Sequence, residues 1–151
     1  MSAPYTGRCV CDAVHYRVNG EPLTLYACHC TDCQKRTGAA FNLALWVKLR
    51  DLEVTKGETT TQELLTPKGT LNTLKACGKC GVRLWSERAQ AGTAIVRAGT
   101  LDDTKWLEPV AHMWTRSKQP WVKIPEGAKQ FEGQPGDFKE MFALWQQREK
   151  R

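Results

Sequence analysis

Residues 26–38 read "YACHCTDCQKRTG" and place Cys28, Cys30 and Cys33 within one short run. A structural zinc site closes with four ligands, so the run raises the question of a fourth. The chain holds seven cysteines, and the other four also come in short pairs. They are Cys9-x-Cys11 and, within "ACGKCGV", Cys77-x-x-Cys80. A two-residue spacer suits a metal knuckle, and small neighbours let the backbone turn its amides toward thiolate sulfur. A C-x-C pair can chelate where a strand is bent or bulged. Two such pairs, brought together by sheet pairing, make a tetrahedral four-cysteine site.

Counting then separates the set. Cys9, Cys11, Cys77 and Cys80 close one site, and Cys28, Cys30 and Cys33 remain as a second with three ligands. Zinc held by three protein ligands keeps a position for water or substrate, which is the catalytic arrangement. Two alternatives stay open at this point. All seven cysteines can be scaffold, with one four-cysteine site and three spare thiols; such thiols, clustered in one segment, would be reactive and oxidation-prone. An iron–sulfur cluster is the other, although the triplet lacks its usual fourth cysteine.

The histidines bear on the fourth ligand. His29 sits between two ligating cysteines, and strand-like alternation points it away from the metal they share. His15 alternates with Val14 and Tyr16 and faces the other side of its strand. His112, in "VAHMW", either approaches the open site from a distant segment or is a hydrogen-bonded strand histidine.

Length and composition set the class. The chain has 151 residues, near-average hydrophobic and charged content and six tryptophans, enough for a core without covalent staples. It lacks a run of about 18 apolar residues, so no transmembrane helix is expected. The start "MSAPYTGRC" carries no signal-like apolar stretch, which predicts a reducing, cytoplasmic setting. There, clustered cysteines are metal ligands or catalytic groups rather than disulfides. The net charge of +6 raises nucleic acid as a partner, but the basic residues are dispersed among acids. Only the terminal "REKR" forms a basic cluster, and a solvated terminus explains it.

Alternation dominates the middle of the chain. "AVHYRV" puts Val14, Tyr16 and Val18 on one face, and "FNLALWVKL" does so for Phe41, Leu43, Leu45, Val47 and Leu49. Both read as half-buried strands. "LTLYA", "AIVRAGTL" and "GVRLWSE" also read as extended, with "CGKCG" as a tight turn between two strands. Gly and Pro punctuate "NGEP", "TPKG" and "KIPEG". "QKRTGAA" predicts one helical turn that stops at Gly38. "GDFKEMFALWQQREK" predicts a helix capped by Asp137, with Phe138, Met141, Phe142 and Trp145 on one face. The expectation is a mainly β, zinc-stapled single domain over residues 1–151 with a short C-terminal helix.

"GRCVCDAVHYRV", "ACHCTDCQKRTGAAF", "KACGKCGVRLW", "AGTLDD" and "AHMWTRSKQPW", in this order, resemble the glutathione-dependent formaldehyde-activating enzyme family, which includes centromere protein V. The resemblance runs from Gly7 to about Trp121. It implies a β-tent fold, a structural zinc on Cys9, Cys11, Cys77 and Cys80, and a catalytic zinc on Cys28, Cys30 and Cys33, hence two zincs per chain. The activity it implies is condensation of glutathione with formaldehyde to S-(hydroxymethyl)glutathione, a carbon–sulfur lyase reaction run backwards. The expected partners are then a small thiol such as glutathione and a small carbonyl compound, with no membrane and no nucleic acid.

Residues outside the cysteines are candidates of lower rank. Lys35 and Arg36 follow the triplet and can hold substrate carboxylates, or they are exposed charges on a turn. Asp102 and Asp103 in "GTLDD" offer acid–base groups, or they cap a turn. Two non-enzymatic readings stand beside the lyase: a zinc-stabilised binding module, and a thiol or metal sensor whose triplet loads and releases zinc.

Overall fold

In the computed structural model, which describes residues 2–65 and 69–148, the elements run in chain order from β1 (Tyr5–Arg8) to a C-terminal helix. They continue with β2 (His15–Val18), β3 (Thr24–Cys28), the short helix α1 (Thr31–Thr37), β4 (Asn42–Lys48), β5 (Leu52–Lys56) and β6 (Thr59–Leu65). Then come β7 (Leu71–Cys77), β8 (Arg83–Arg88), β9 (Thr93–Arg97), β10 (Ala111–Met113), β11 (Lys129–Phe131) and α2 (Lys139–Arg148). The protein is mainly β, as its sequence implies. The "TPKG" punctuation, apart from Gly69, and the "REKR" cluster, apart from Arg148, lie outside the described residues.

The elements group into two compact units: Met1–Pro22 with Leu45–Trp106, and Leu23–Ala44 with Leu107–Arg151. In the first, β1, β2 and β5 form an antiparallel sheet in the order β1-β2-β5. β2 buries alternate residues, so Tyr16 and Val18 are covered while His15 and Arg17 are only half-buried, as period-two alternation requires. A second set runs β4-β9-β8-β7-β6. The turn from β7 to β8 carries "CGKCG", and the two strands pair antiparallel on either side of it.

"FNLALWVKL" departs from expectation. Ala44, Leu45, Trp46 and Val47 of β4 are all buried, so this stretch is covered on both faces rather than one. Tryptophan on the presumed outer face is the sign that alternation obscured. The β6–β7 hairpin was not foreseen at all. "TTTQELL" is exposed at nearly every position and so has no apolar rhythm, and its strand identity comes from seven residue pairs with β7.

The second unit is built on parallel pairing. β10 lies between β3 and β11 and runs parallel to both, with Met113 opposite Cys28 and His112 opposite Ala27. All five residues of β3 are buried, which fits a strand covered on both faces. α2 lies against β3: Met141 and Trp145 are buried, and the Thr24 hydroxyl donates to the Met141 carbonyl. Asp137 stands one residue ahead of the cap position expected for it: the Phe138 carbonyl accepts the Phe142 amide at 3.0 Å, and the Asp137 carboxylate accepts the first helical amide, Lys139, at 2.9 Å. Phe138 precedes the helix and meets the ring of Tyr26 at 6.2 Å.

Candidate metal centres

The four-cysteine cluster lies in the first unit and is made by two turns of similar design. Cys9 follows β1, and its amide donates to the Val14 carbonyl at 3.0 Å. Cys77 ends β7, and its amide donates to the Val82 carbonyl at 2.9 Å. In each turn the residue after the second cysteine is left-handed: Asp12 at φ 63° and Gly81 at φ 73°. Glycine takes that conformation freely, whereas aspartate needs support. Asp12 has it, since its carboxylate meets Lys56 and His15 at 2.8 Å and Arg8 at 3.1 Å. Hydrogen bonds from Lys56 foremost, then Arg8 and His15, hold its carboxyl well below the usual range.

The four sulfurs lie within 4.8 Å of one another. Tetrahedral zinc–thiolate bonds of about 2.3 Å put neighbouring sulfurs about 3.8 Å apart. The Cys9–Cys11 and Cys11–Cys77 separations are both 3.6 Å, so the donor set fits such an ion. The Val14 amide also donates to the Cys9 sulfur at 3.3 Å. Burial pushes the Cys9 thiol up, but the Val14 amide and the neighbouring thiols more than offset it and hold Cys9 below its ordinary value.

The triplet lies in the second unit. Cys28 is the last residue of β3, Cys30 is the N-cap of α1, and Cys33 belongs to the first turn. The Cys30 sulfur accepts the Cys33 amide at 3.3 Å, the bond that an N-cap side chain normally makes. The helix thus starts at Thr31, three residues before the turn expected from "QKRTGAA", because a cysteine takes the capping role usually read from Ser, Thr, Asp or Asn. It closes at Gly38 as expected.

The three triplet sulfurs also lie within 4.8 Å of one another. Cys28 is buried, while Cys30 and Cys33 are half-exposed. Hydrogen bonds from Cys28 and Cys33 hold the Cys30 thiol well below its ordinary value, and the same bond drives Cys28 up. The three sulfurs thus centre one negative charge on Cys30, with Cys28 and Cys33 held up as thiols beside it, whereas a metal requires every thiol ligand deprotonated.

Among the described residues no histidine joins either sulfur cluster. His29 is fully buried and points to His112, with Nε2 and Nδ1 2.9 Å apart and the rings stacked at 25°. Its other neighbour is Phe41, ring centroids 5.2 Å apart. Burial, then the charges of His112 and Lys118, lowers the His29 imidazole to about 4; burial lowers His112 too. His112 is therefore the hydrogen-bonded strand histidine of the two options.

The remaining candidates divide similarly. Lys35 and Arg36 are exposed in the last turn of α1, and the Arg36 charge reaches Cys33. Asp102 pairs with Arg8 at 2.8 Å, and Asp103 caps its own turn by accepting the Lys105 amide. Both aspartates thus have structural work within the first unit.

Residues 4–117 match the sequence pattern of the glutathione-dependent formaldehyde-activating enzyme family. The chain belongs to that family. The matched span holds all seven cysteines and His112. A crystal structure of a Rhodobacter sphaeroides protein, a structural genomics target, is similar with a TM-score of 0.50 at 20% identity. The likeness covers 83% of this chain and 98% of that one, and it speaks to the fold alone. No curated protein matches the chain. No described helix of this formaldehyde-activating family member is long and apolar enough to cross a membrane.

Sequence reasoning missed the polar residues behind the triplet. Gln34 donates to the carbonyls of His29 and Ser117, the Ser117 hydroxyl donates to the same His29 carbonyl, and Gln119 donates to Gln34. The one available signal was that "AHMWTRSKQPW" belongs to the quoted family pattern; nothing in it names a partner.

Proposed function

We propose that the chain is a zinc-dependent carbon–sulfur lyase-type enzyme acting on a thiol–carbonyl adduct, of the S-(hydroxymethyl)glutathione kind. The observation that carries this reading is the unequal sulfur count: a four-cysteine cluster that can close a tetrahedron and a three-cysteine cluster that leaves one vertex. Family membership supports the same activity.

Cys9, Cys11, Cys77 and Cys80 would hold a structural zinc, and Cys28, Cys30 and Cys33 a second one. Zinc at the triplet supplies a lowered thiol pKa, so that a substrate thiol is available as thiolate near neutral pH. In the forward direction the substrate sulfur attacks the carbonyl carbon. A carbon–sulfur bond forms, the carbonyl π pair moves to oxygen, and a proton from water is added there, matching the one the thiol released to water on ionising. Reversal takes that proton off and breaks the carbon–sulfur bond. Lys35 and Arg36, exposed on α1 beyond Cys33, would receive carboxylates of a glutathione-like substrate.

The test is native mass spectrometry of reduced protein purified without chelator, followed by proton NMR of glutathione and formaldehyde exchange. Two zincs, a glutathione-dependent mass shift and accelerated adduct exchange are expected. A single zinc with no thiol adduct would sink the enzyme reading in favour of a zinc-stabilised binding module. Two zincs with no catalysis, but selective loss of one to mild peroxide, would favour the sensor. That second reading draws on the half-exposure of Cys30 and Cys33.

A further inference from the structure

α1 carries two residues of the triplet's neighbourhood, Cys33 within it and Cys30 at its cap, yet it has no fully buried residue. Seven residues are too few for a helix to be stable by itself in water. Apolar packing is the usual remedy, and α1 uses little of it. Something else has to hold the segment between Cys28 and Cys33 in the one arrangement that brings three sulfurs together.

Polar bonds do so, and they converge on two residues. His29, between two of the cysteines, is fixed at every backbone group. Its amide donates to the Met113 carbonyl at 2.9 Å. Its carbonyl accepts from Gln34 Nε2 at 2.8 Å and from the Ser117 hydroxyl at 3.0 Å. Gln34 uses both amide protons and one oxygen lone pair in turn. Its two amide protons go to His29 and, at 2.9 Å, to the Ser117 carbonyl, while its oxygen accepts Gln119 Nε2 at 2.7 Å. Since both His29 and Ser117 present carbonyl oxygens, only the amide nitrogen can face them, which fixes how the Gln34 side chain is turned.

We propose that Gln34 is a positioning residue for the triplet: its side-chain amide locks the His29 carbonyl to the turn at Thr115–Ser117 and so holds Cys30 and Cys33 toward one ion. Gln119 acts one bond further out, holding the Gln34 amide in that orientation. This inference rests on the triplet being an open metal site. Outer residues that orient metal ligands typically change metal affinity about 10–100-fold when removed.

Three substitutions separate the bonds from other effects. Gln34→Glu keeps the shape but turns acceptor oxygens toward two carbonyls, replacing attraction by repulsion. Gln34→Leu removes the same bonds without adding charge. Gln119→Leu removes only the outer bond. The experiment follows zinc release from each protein to a chromogenic chelator, with the four-cysteine zinc as internal reference, and repeats the comparison on cobalt-substituted protein by its thiolate-to-cobalt and d–d absorption. In the wild type, two release phases are expected. Both Gln34 variants should speed the triplet phase by about tenfold or more and shift the cobalt bands, with the other phase unchanged. Gln119→Leu should move the same readouts in the same direction by less, and it serves if a Gln34 variant fails to fold.

Two release phases in the wild type, with the triplet phase and cobalt spectrum unaltered in Gln34→Glu and Gln34→Leu, would overturn the positioning role. The open-site reading would survive that result. A wild type that carries only one zinc would instead overturn the open-site reading and, with it, the premise of this inference.

Discussion

Cys9, Cys11, Cys77 and Cys80 come from two turns far apart in the chain, whereas Cys28, Cys30 and Cys33 follow one another through a strand end and a single helical turn. An ion in the first cluster closes a loop of some 66 residues between Cys11 and Cys77. An ion in the second closes almost none. Cross-links that close long loops restrict the unfolded chain most, and metal binding to such a site is folding free energy. Under the proposed function the same side chain would do different work in the two places: a staple in one, a reactive site in the other. The supports match this division. Each four-cysteine turn is closed by a backbone bond across it, with Asp12 held by side chains in the first. The triplet adds side-chain amides and a serine hydroxyl to the backbone bond of the His29 amide.

The largest test of this contrast is on stability. Cys77→Ser is expected to cost several kcal/mol, lowering the thermal midpoint by roughly 10 °C or more, because a structural zinc contributes folding energy outright. Cys30→Ser should lower it by only a few degrees. Differential scanning calorimetry of the two variants side by side reads this, and equal losses would break the comparison. On binding the order reverses. Cys30→Ser should abolish the glutathione mass adduct and cut adduct exchange at least about 100-fold, in line with loss of a metal-bound nucleophile.

A smaller effect sharpens the contrast from the scaffold side. Gly57 has φ +71°, and a Cβ there would run into the Ala13 carbonyl within the turn that presents Cys9 and Cys11. Gly57→Ala should cost at least about 1–2 kcal/mol from the left-handed backbone alone. Urea unfolding should show that loss, and chelator kinetics should show the triplet zinc released as in the wild type.

The smallest expected effect concerns pH in the second unit. Burial holds His112 below the ordinary imidazole value near 6.5. Below that value the unfolded chain takes up a proton that the folded chain refuses, so stability is complete above it and declines as pH falls. His112→Asn should flatten the decline between pH 7.5 and 5.5, judged by the difference in urea midpoints between variant and wild type. An unchanged slope would mean that the His29–His112 pair is not felt in folding.

Part of this was legible beforehand. The strands with an apolar rhythm, such as Val14–Tyr16–Val18, could be read directly, as could the turn at "CGKCG" and a helix starting just after Asp137. β6 could not, because its stability comes from pairing with β7 rather than from a buried face. β4 was read as half-buried since alternation is the default signal, and burial on both faces erases what that signal measures. Lys35 and Arg36 could be read as charges just past the triplet, open to substrate carboxylates or to solvent, and the structure puts both in the last turn of α1.

The sequence by itself picked out the three short cysteine runs, because chelation within a C-x-C or C-x-x-C run is local. That Cys9 and Cys11 go with Cys77 and Cys80 came from the family resemblance, and the fold brings Cys11 and Cys77 to 3.6 Å. The sequence also determined the family, through motifs in fixed order. Only the tertiary structure decided what stands behind those sulfurs. His29 meets His112 across 83 residues and Gln34 meets Gln119 across 85. Hydrogen bonds over such separations are set by how β3 and β10 align, and they leave no spacing or periodicity in the chain from which to read them.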